Sequence, residues 1–110
     1  MKSIELVSAQ SAAADITSVP ATLGDLTEFS IHSKFSSGTL NGTLTLECSN
    51  DNLDWITVTG SSQAIVSGAS HMYNVSNANY LYVRLFYDAT SGTGTLTAKL
   101  ILKENVIKGA

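Results

Sequence analysis

Histidine, cysteine and acidic side chains build metal sites and nucleophilic centres, and this sequence offers few of them in suggestive spacings. Neither His32 nor His71 has a second ligand two or four residues away in a recognisable zinc spacing. The lone Cys48 cannot form an internal disulfide, and its strand-like surroundings are typical of a small buried hydrophobe. We therefore expect both histidines at the surface or rim, no metal centre and no cofactor.

Oxygen-bearing side chains are densest between residues 50 and 54. Asn50, Asn52 and Asp54 stand at alternate positions, as in the first half of a calcium loop. Trp55, however, occupies the position at which an EF-hand has its turning glycine, and no glutamate follows at the bidentate position. We interpret the segment as a turn without metal, with calcium bound by these three side chains as the alternative.

Catalytic motifs are missing from the sequence. The nine acidic residues lie in turns, near the termini or at polar-face positions such as Glu47, without the apolar neighbours that raise a glycosidase acid's pKa. There is no Gly-x-Ser-x-Gly elbow, and Gly92-Thr93-Gly94 lacks the strand–helix context of a phosphate loop. We expect that the protein is not an enzyme.

Aromatic residues are the remaining candidates for binding. Trp55, Tyr73 and Tyr80 are of the types that stack on sugars, and together with Tyr82 they are also typical of protein interfaces. The competing interpretation is structural. We favour Trp55 as a core residue, whereas Tyr80, Tyr82 and Phe86 fit an interface or intramolecular cover, such as a crossing loop, equally well.

Composition narrows the class of partner. Six basic and nine acidic residues give a net charge of −3, and no three basic residues cluster along the chain, so we expect no nucleic acid partner. No stretch approaches the ~20 apolar residues of a membrane span, and Glu5 interrupts the apolar run that a secretory signal needs. We expect synthesis in a cytoplasm and no membrane partner.

The elements that must position these residues are strands. The 110 residues suit a single domain covering 1–110, and 27 of them are Ser or Thr. Apolar and polar residues alternate from Phe29 to Phe35, from Thr43 to Cys48 and from Thr95 to Leu102, and Asn41-Gly42 and Ser91–Gly94 suggest hairpin turns. Turn signals every 8–12 residues predict a single antiparallel β-sandwich of jelly-roll type, with about eight strands.

The longest apolar run, Tyr80 to Tyr87, is predicted to be a strand with two apolar faces. One face carries Leu81, Val83, Leu85 and Tyr87, and the other carries Tyr80, Tyr82, Arg84 and Phe86. A sandwich of this size buries one face of each sheet. The second row must then be covered by a loop, by the N-terminal segment or by another subunit. Of these we expect a contact between protein chains, with a copy of itself or with another protein.

Several of these motifs resemble those of small β-sandwich proteins of bacteriophage virions, and of discoidin-like jelly rolls. They are Leu46–Asp51, Asp54-Trp55-Ile56, Tyr80–Leu85 and Ser91–Leu96, within a stretch from Thr43 to Glu104. Many such modules have glycine after the acidic turn residue, where this chain has Asn52.

The resemblance implies a virion structural protein, either a capsid decoration or a tail component. Its partners would be other virion proteins and copies of itself, and its location the virion. The alternative is a carbohydrate- or receptor-binding module on a virion or cell surface.

Overall fold

The chain folds into strands, as the alternation predicts. The computed structural model describes residues 2–24, 26–36, 39–66 and 70–103, and within these ranges it contains ten strands and no helix. The strands are β1 (Lys2–Ser11), β2 (Ile16–Thr17), β3 (Ala21–Thr22), β4 (Glu28–Phe35), β5 (Leu40–Ser49), β6 (Ile56–Thr57), β7 (Gln63–Val66), β8 (Ser70–Val75), β9 (Tyr82–Gly92) and β10 (Thr95–Lys103).

Two antiparallel sheets pack against each other. The A sheet has the strand order β1-β10-β4-β8, and in the B sheet β9 and β5 lie at the centre, with β2 and β3 on one side and β6 and β7 on the other. If β2 with β3 and β6 with β7 are each counted as one interrupted strand, eight positions remain in a jelly-roll order. The predicted all-β sandwich is confirmed.

Alternation along the long strands builds the core. Leu96, Ala98, Leu100 and Leu102 of β10 are buried as predicted, and on the facing sheet β9 contributes Val83, Leu85 and Tyr87. Burying these side chains supplies the main driving force for folding, at roughly 25 cal/mol per Å² of apolar surface. The opposite side of each strand is left for solvent or a partner.

Two turn predictions are wrong. Asn41-Gly42 is not a hairpin turn but part of β5, at a register shift opposite β9. Gly42 is needed there for close approach, because a Cβ on it would lie 2.5 Å from the hydroxyl oxygen of Tyr87. Ser91–Gly94 does not close a hairpin either, since β9 belongs to the B sheet and β10 to the A sheet.

Candidate functional site

The outer side of β9 carries the side chains that the sequence predicted for an interface. Tyr82, Arg84 and Phe86 are all half-buried, and none belongs to the buried core. Across the strand pair, β5 places Ser49, Glu47 and Thr45 opposite them. Together with Trp55, these three residues of β9 form what we call the aromatic face.

A matched charge pair lies in the middle of the aromatic face. Arg84 Nε donates a hydrogen bond to Glu47 Oε1 at 2.7 Å, and the two side chains are 25% and 18% exposed. Arg84 Cζ also lies 4.1 Å from the ring centroid of Trp55, a cation–π contact. Sequence reasoning missed the role of Glu47, because it is separated from Arg84 by 37 positions and only the strand register brings them together.

Trp55 does not fill the core, contrary to the sequence-based expectation. The register between β5 and β6 places Thr57 opposite Glu47, whose side chain points outwards. Because side chains alternate along an extended chain, Trp55 falls on the same outer side as Thr57 and reaches Arg84. The neighbouring Ile56, opposite Cys48, is 70% exposed at the sheet edge.

Tyr80 does not belong to the outer row either. The strand begins only at Tyr82, and the bend before it turns Tyr80 against the core, where its hydroxyl is buried without a hydrogen-bond partner among the described residues. Burial, together with the nearby Cys48, raises the pKa of Tyr80 to about 12. Leu81, predicted to face inwards, is instead 44% exposed, with its N–H bound to Asn50 Oδ1 at 3.1 Å.

Tyr73 is a core residue and not part of a sugar platform. It is only 7% exposed, and its hydroxyl lies 2.8 Å from the Ser61 carbonyl oxygen and 3.2 Å from that of Leu44. The side chain thus runs from the A sheet to the backbone of the B sheet, and burial raises its pKa. Of the three ligand candidates, only Trp55 is left on an outer face.

The segment from 50 to 54 is organised as a turn around Asp51. Asp51 Oδ1 accepts hydrogen bonds from the N–H groups of Leu53 and Asp54 and from the Ser49 hydroxyl, all at 2.9 Å. These bonds lower the pKa of Asp51 from 3.8 to about 2. Asn50, one of the three calcium candidates, binds Leu81, and Asn52 has a left-handed φ of 61°. The oxygen-rich spacing is accounted for by turn formation.

The remaining candidates for chemistry are dispersed. His32 is exposed on the outer side of the A sheet, whereas His71 packs edge-on against Tyr73 with ring centroids 4.4 Å apart. Burial raises the pKa of the half-buried Cys48 thiol, which disfavours the nucleophilic thiolate. Among the described residues, no three His, Cys, Asp or Glu side chains converge in a way that would hold a metal ion.

The chain matches no protein-family model, and no curated protein is significantly similar to it. In the part of the chain that the structure describes, no helix is long and apolar enough to cross a membrane.

Proposed function

We propose that this chain is a non-enzymatic structural protein of a bacteriophage virion, a capsid decoration or tail component that acts through protein–protein contacts. The contact is made by the aromatic face. The observation that carries the proposal is the half-buried row of Tyr82, Arg84 and Phe86, whose one charge is already neutralised by Glu47 within the chain.

The residue types of this face favour a protein partner. Tyr, Trp, Phe and Arg are enriched at interface centres, where they supply large contact areas with few rotatable bonds. Burial of a lone charge in an interface is costly, but the Arg84–Glu47 pair would enter the contact already bonded. The face therefore meets the main energetic requirement for a desolvated interface.

A carbohydrate partner fits the same face less well. Of the three rings that the sequence predicted for sugar stacking, Tyr73 lies within the core and Tyr80 packs against it, so neither belongs to this face. One side of the Trp55 ring is covered by the Arg84 guanidinium group, so only the opposite side is left for stacking on a sugar. A single half-covered ring is a small platform compared with the whole aromatic row.

The non-enzymatic part of the proposal rests on the acids. A general acid needs a raised pKa, but the pKa of Asp51 is lowered. The Glu47 carboxylate is already occupied by its ion pair with Arg84. The virion setting is supported by the resemblance of the turn and strand motifs between Thr43 and Glu104.

The first experiment tests the contact. Phe86→Ser and Tyr82→Ser are purified beside the wild type, and self-association is measured by light scattering while binding to purified phage particles is measured by cosedimentation. We expect each variant to weaken association about tenfold or more, as loss of an interface-centre aromatic does. Far-UV circular dichroism and thermal unfolding establish that each variant is folded.

Met72→Ser is the matched control, because Met72 is 47% exposed on the outer side of the A sheet. It should leave association unchanged. A folded Phe86→Ser protein that associates and binds particles as the wild type does would contradict the proposal. Binding to neutral glycans that is lost in Trp55→Ala but kept in Phe86→Ser would favour the carbohydrate alternative instead.

A further inference from the structure

The outer side of the A sheet contains a shallow depression of about 470 Å³ that no sequence motif predicts. It is lined by His32, Lys34 and Ser36 of β4 and its end, and by Thr95, Thr97 and Lys99 of β10. We call these six residues the basic depression. The strand register sets Lys99 directly opposite His32 and Thr97 directly opposite Lys34, so the positive groups come from two strands far apart in sequence.

No acidic side chain of the described residues forms an ion pair with the two lysines of the basic depression. Among the described residues, neither Lys34 nor Lys99 makes an ion pair, and both are exposed. The acid nearest in register is Glu5, which lies opposite Lys99 on β1 and does not line the depression. Like charges placed close together on a sheet repel each other, and a bound anion would remove that repulsion.

The hydroxyl groups around the lysines are arranged as donors. Ser36 Oγ accepts the N–H of Thr95 at 2.8 Å and also lies 2.9 Å from Thr95 Oγ1. Thr97 Oγ1 accepts the N–H of Ala9 at 3.1 Å. The Thr95 hydroxyl donates its hydrogen to Ser36 Oγ, whereas the Ser36 and Thr97 hydroxyls accept backbone N–H groups and keep their own hydrogens to donate. The depression thus offers ammonium, imidazole and hydroxyl donors to one ligand.

We propose that the basic depression binds a compact oxyanion, the carboxylate, sulfate or phosphate group of a small ligand. Oxyanions accept several charge-assisted hydrogen bonds at once, which matches a site rich in donors and free cations. The volume holds more than a bare ion, so the anion arrives either free or carried on a unit the size of an acidic sugar. This site lies on the sheet opposite the aromatic face and does not depend on the contact proposed there.

The test is a titration of the isotope-labelled protein by amide NMR. The probes are inorganic sulfate, galactose 6-sulfate and neutral galactose. We expect the sulfated probes to shift the amides of β10 between Thr95 and Lys99 and those of β4 around Lys34, with galactose inert. Equal affinity for the two sulfated probes identifies a free anion as the ligand, and tighter binding of the sulfated sugar identifies an anion carried on a glycan.

Lysine variants distinguish binding in the basic depression from a non-specific attraction of anions to positive charge. Lys34→Gln and Lys99→Gln should each weaken binding about fivefold, the effect of losing one charge-assisted hydrogen bond at an exposed site. Lys103→Gln is the matched control, because Lys103 lies on the same strand opposite Glu28, outside the depression. It should change binding less than twofold. Shifts that are equal for galactose, absent for both sulfated probes, or retained in the Lys34→Gln, Lys99→Gln double variant would overturn the proposal.

Discussion

Both outer faces of the sandwich are built by alternating side chains along strands, but they differ in whether their cationic side chains are buried and paired. On the aromatic face, the one cation, Arg84, is half-buried, with 25% of its side chain exposed, and is bonded to Glu47. On the A sheet, Lys34 and Lys99 are exposed and unpaired among the described residues. A half-buried cation has lost much of its water and needs a partner within the chain, whereas an exposed lysine is solvated and needs none.

The difference separates two modes of recognition. A partner on the aromatic face meets rings and a neutral pair, so its affinity should come from apolar area and change little with salt. A ligand in the basic depression meets unmatched cations. Its binding should weaken as the screening length falls from about 30 Å at 0.01 M salt to about 8 Å at 0.15 M.

The largest effect is expected at Tyr73, whose hydroxyl links the A sheet to the backbone of the B sheet and so helps to hold the two faces in one body. Tyr73→Phe removes a buried donor from the Ser61 and Leu44 carbonyl oxygens. We expect a loss of about 1–3 kcal/mol in the free energy of unfolding, measured by urea titration.

Tyr87→Phe is the matched change. Its hydroxyl is also buried but has no hydrogen-bond partner among the described residues. Removal of that group should leave stability unchanged or raise it by about 1 kcal/mol, because an unsatisfied polar atom is taken out of the core. If both variants lost the same stability, the hydrogen bonds of Tyr73 would not be what links the sheets.

The sequence predicts the sandwich well because alternation is a local signal. The inward rows of β4, β5 and β10 follow from a period of two alone. It does not predict which residues meet across strands. The Arg84–Glu47 pair and the basic depression both depend on register between strands distant in sequence.

The wrong predictions for Asn41-Gly42, Trp55 and Tyr80 also arise because contacts between strands and exact strand boundaries are not encoded in the local pattern. Asn41-Gly42 has the composition of a hairpin turn, but Gly42 is needed because the Tyr87 side chain of the neighbouring strand leaves no room for a Cβ. Trp55 and Tyr80 each lie beside a turn, where one residue of offset moves a side chain to the other face. The strand starts at Ile56 and at Tyr82 decide these positions, and boundaries are the least certain part of a sequence pattern.

A smaller loss of stability is expected when the ion pair between Arg84 and Glu47 is broken. Glu47→Gln leaves the half-buried guanidinium of Arg84 without its counter-ion and should cost about 1–2 kcal/mol of unfolding free energy. Glu5→Gln removes an acid opposite Lys99, to which it makes no ion pair, and should change stability by less than about 0.5 kcal/mol. Equal losses in chemical denaturation would remove the contrast between the faces.

The smallest change in stability is expected from the turn around Asp51, which precedes Trp55 and helps to hold its ring against Arg84. The folded-state pKa of Asp51 is about 2, below its ordinary 3.8, so folding favours the ionised carboxylate. Its stabilising contribution is therefore fully present above pH 3.8 and is lost as the pH falls towards 2.

Asp51→Asn keeps an acceptor oxygen in place but removes the charge. Its melting temperature should be slightly below that of the wild type at pH 7, and most of the difference should be gone by pH 2. Indole fluorescence should report the same convergence, because the turn fixes the ring above the guanidinium. A gap in melting temperature as large at pH 2 as at pH 7 would mean that the turn depends on the shape of the Asp51 side chain and not on its charge.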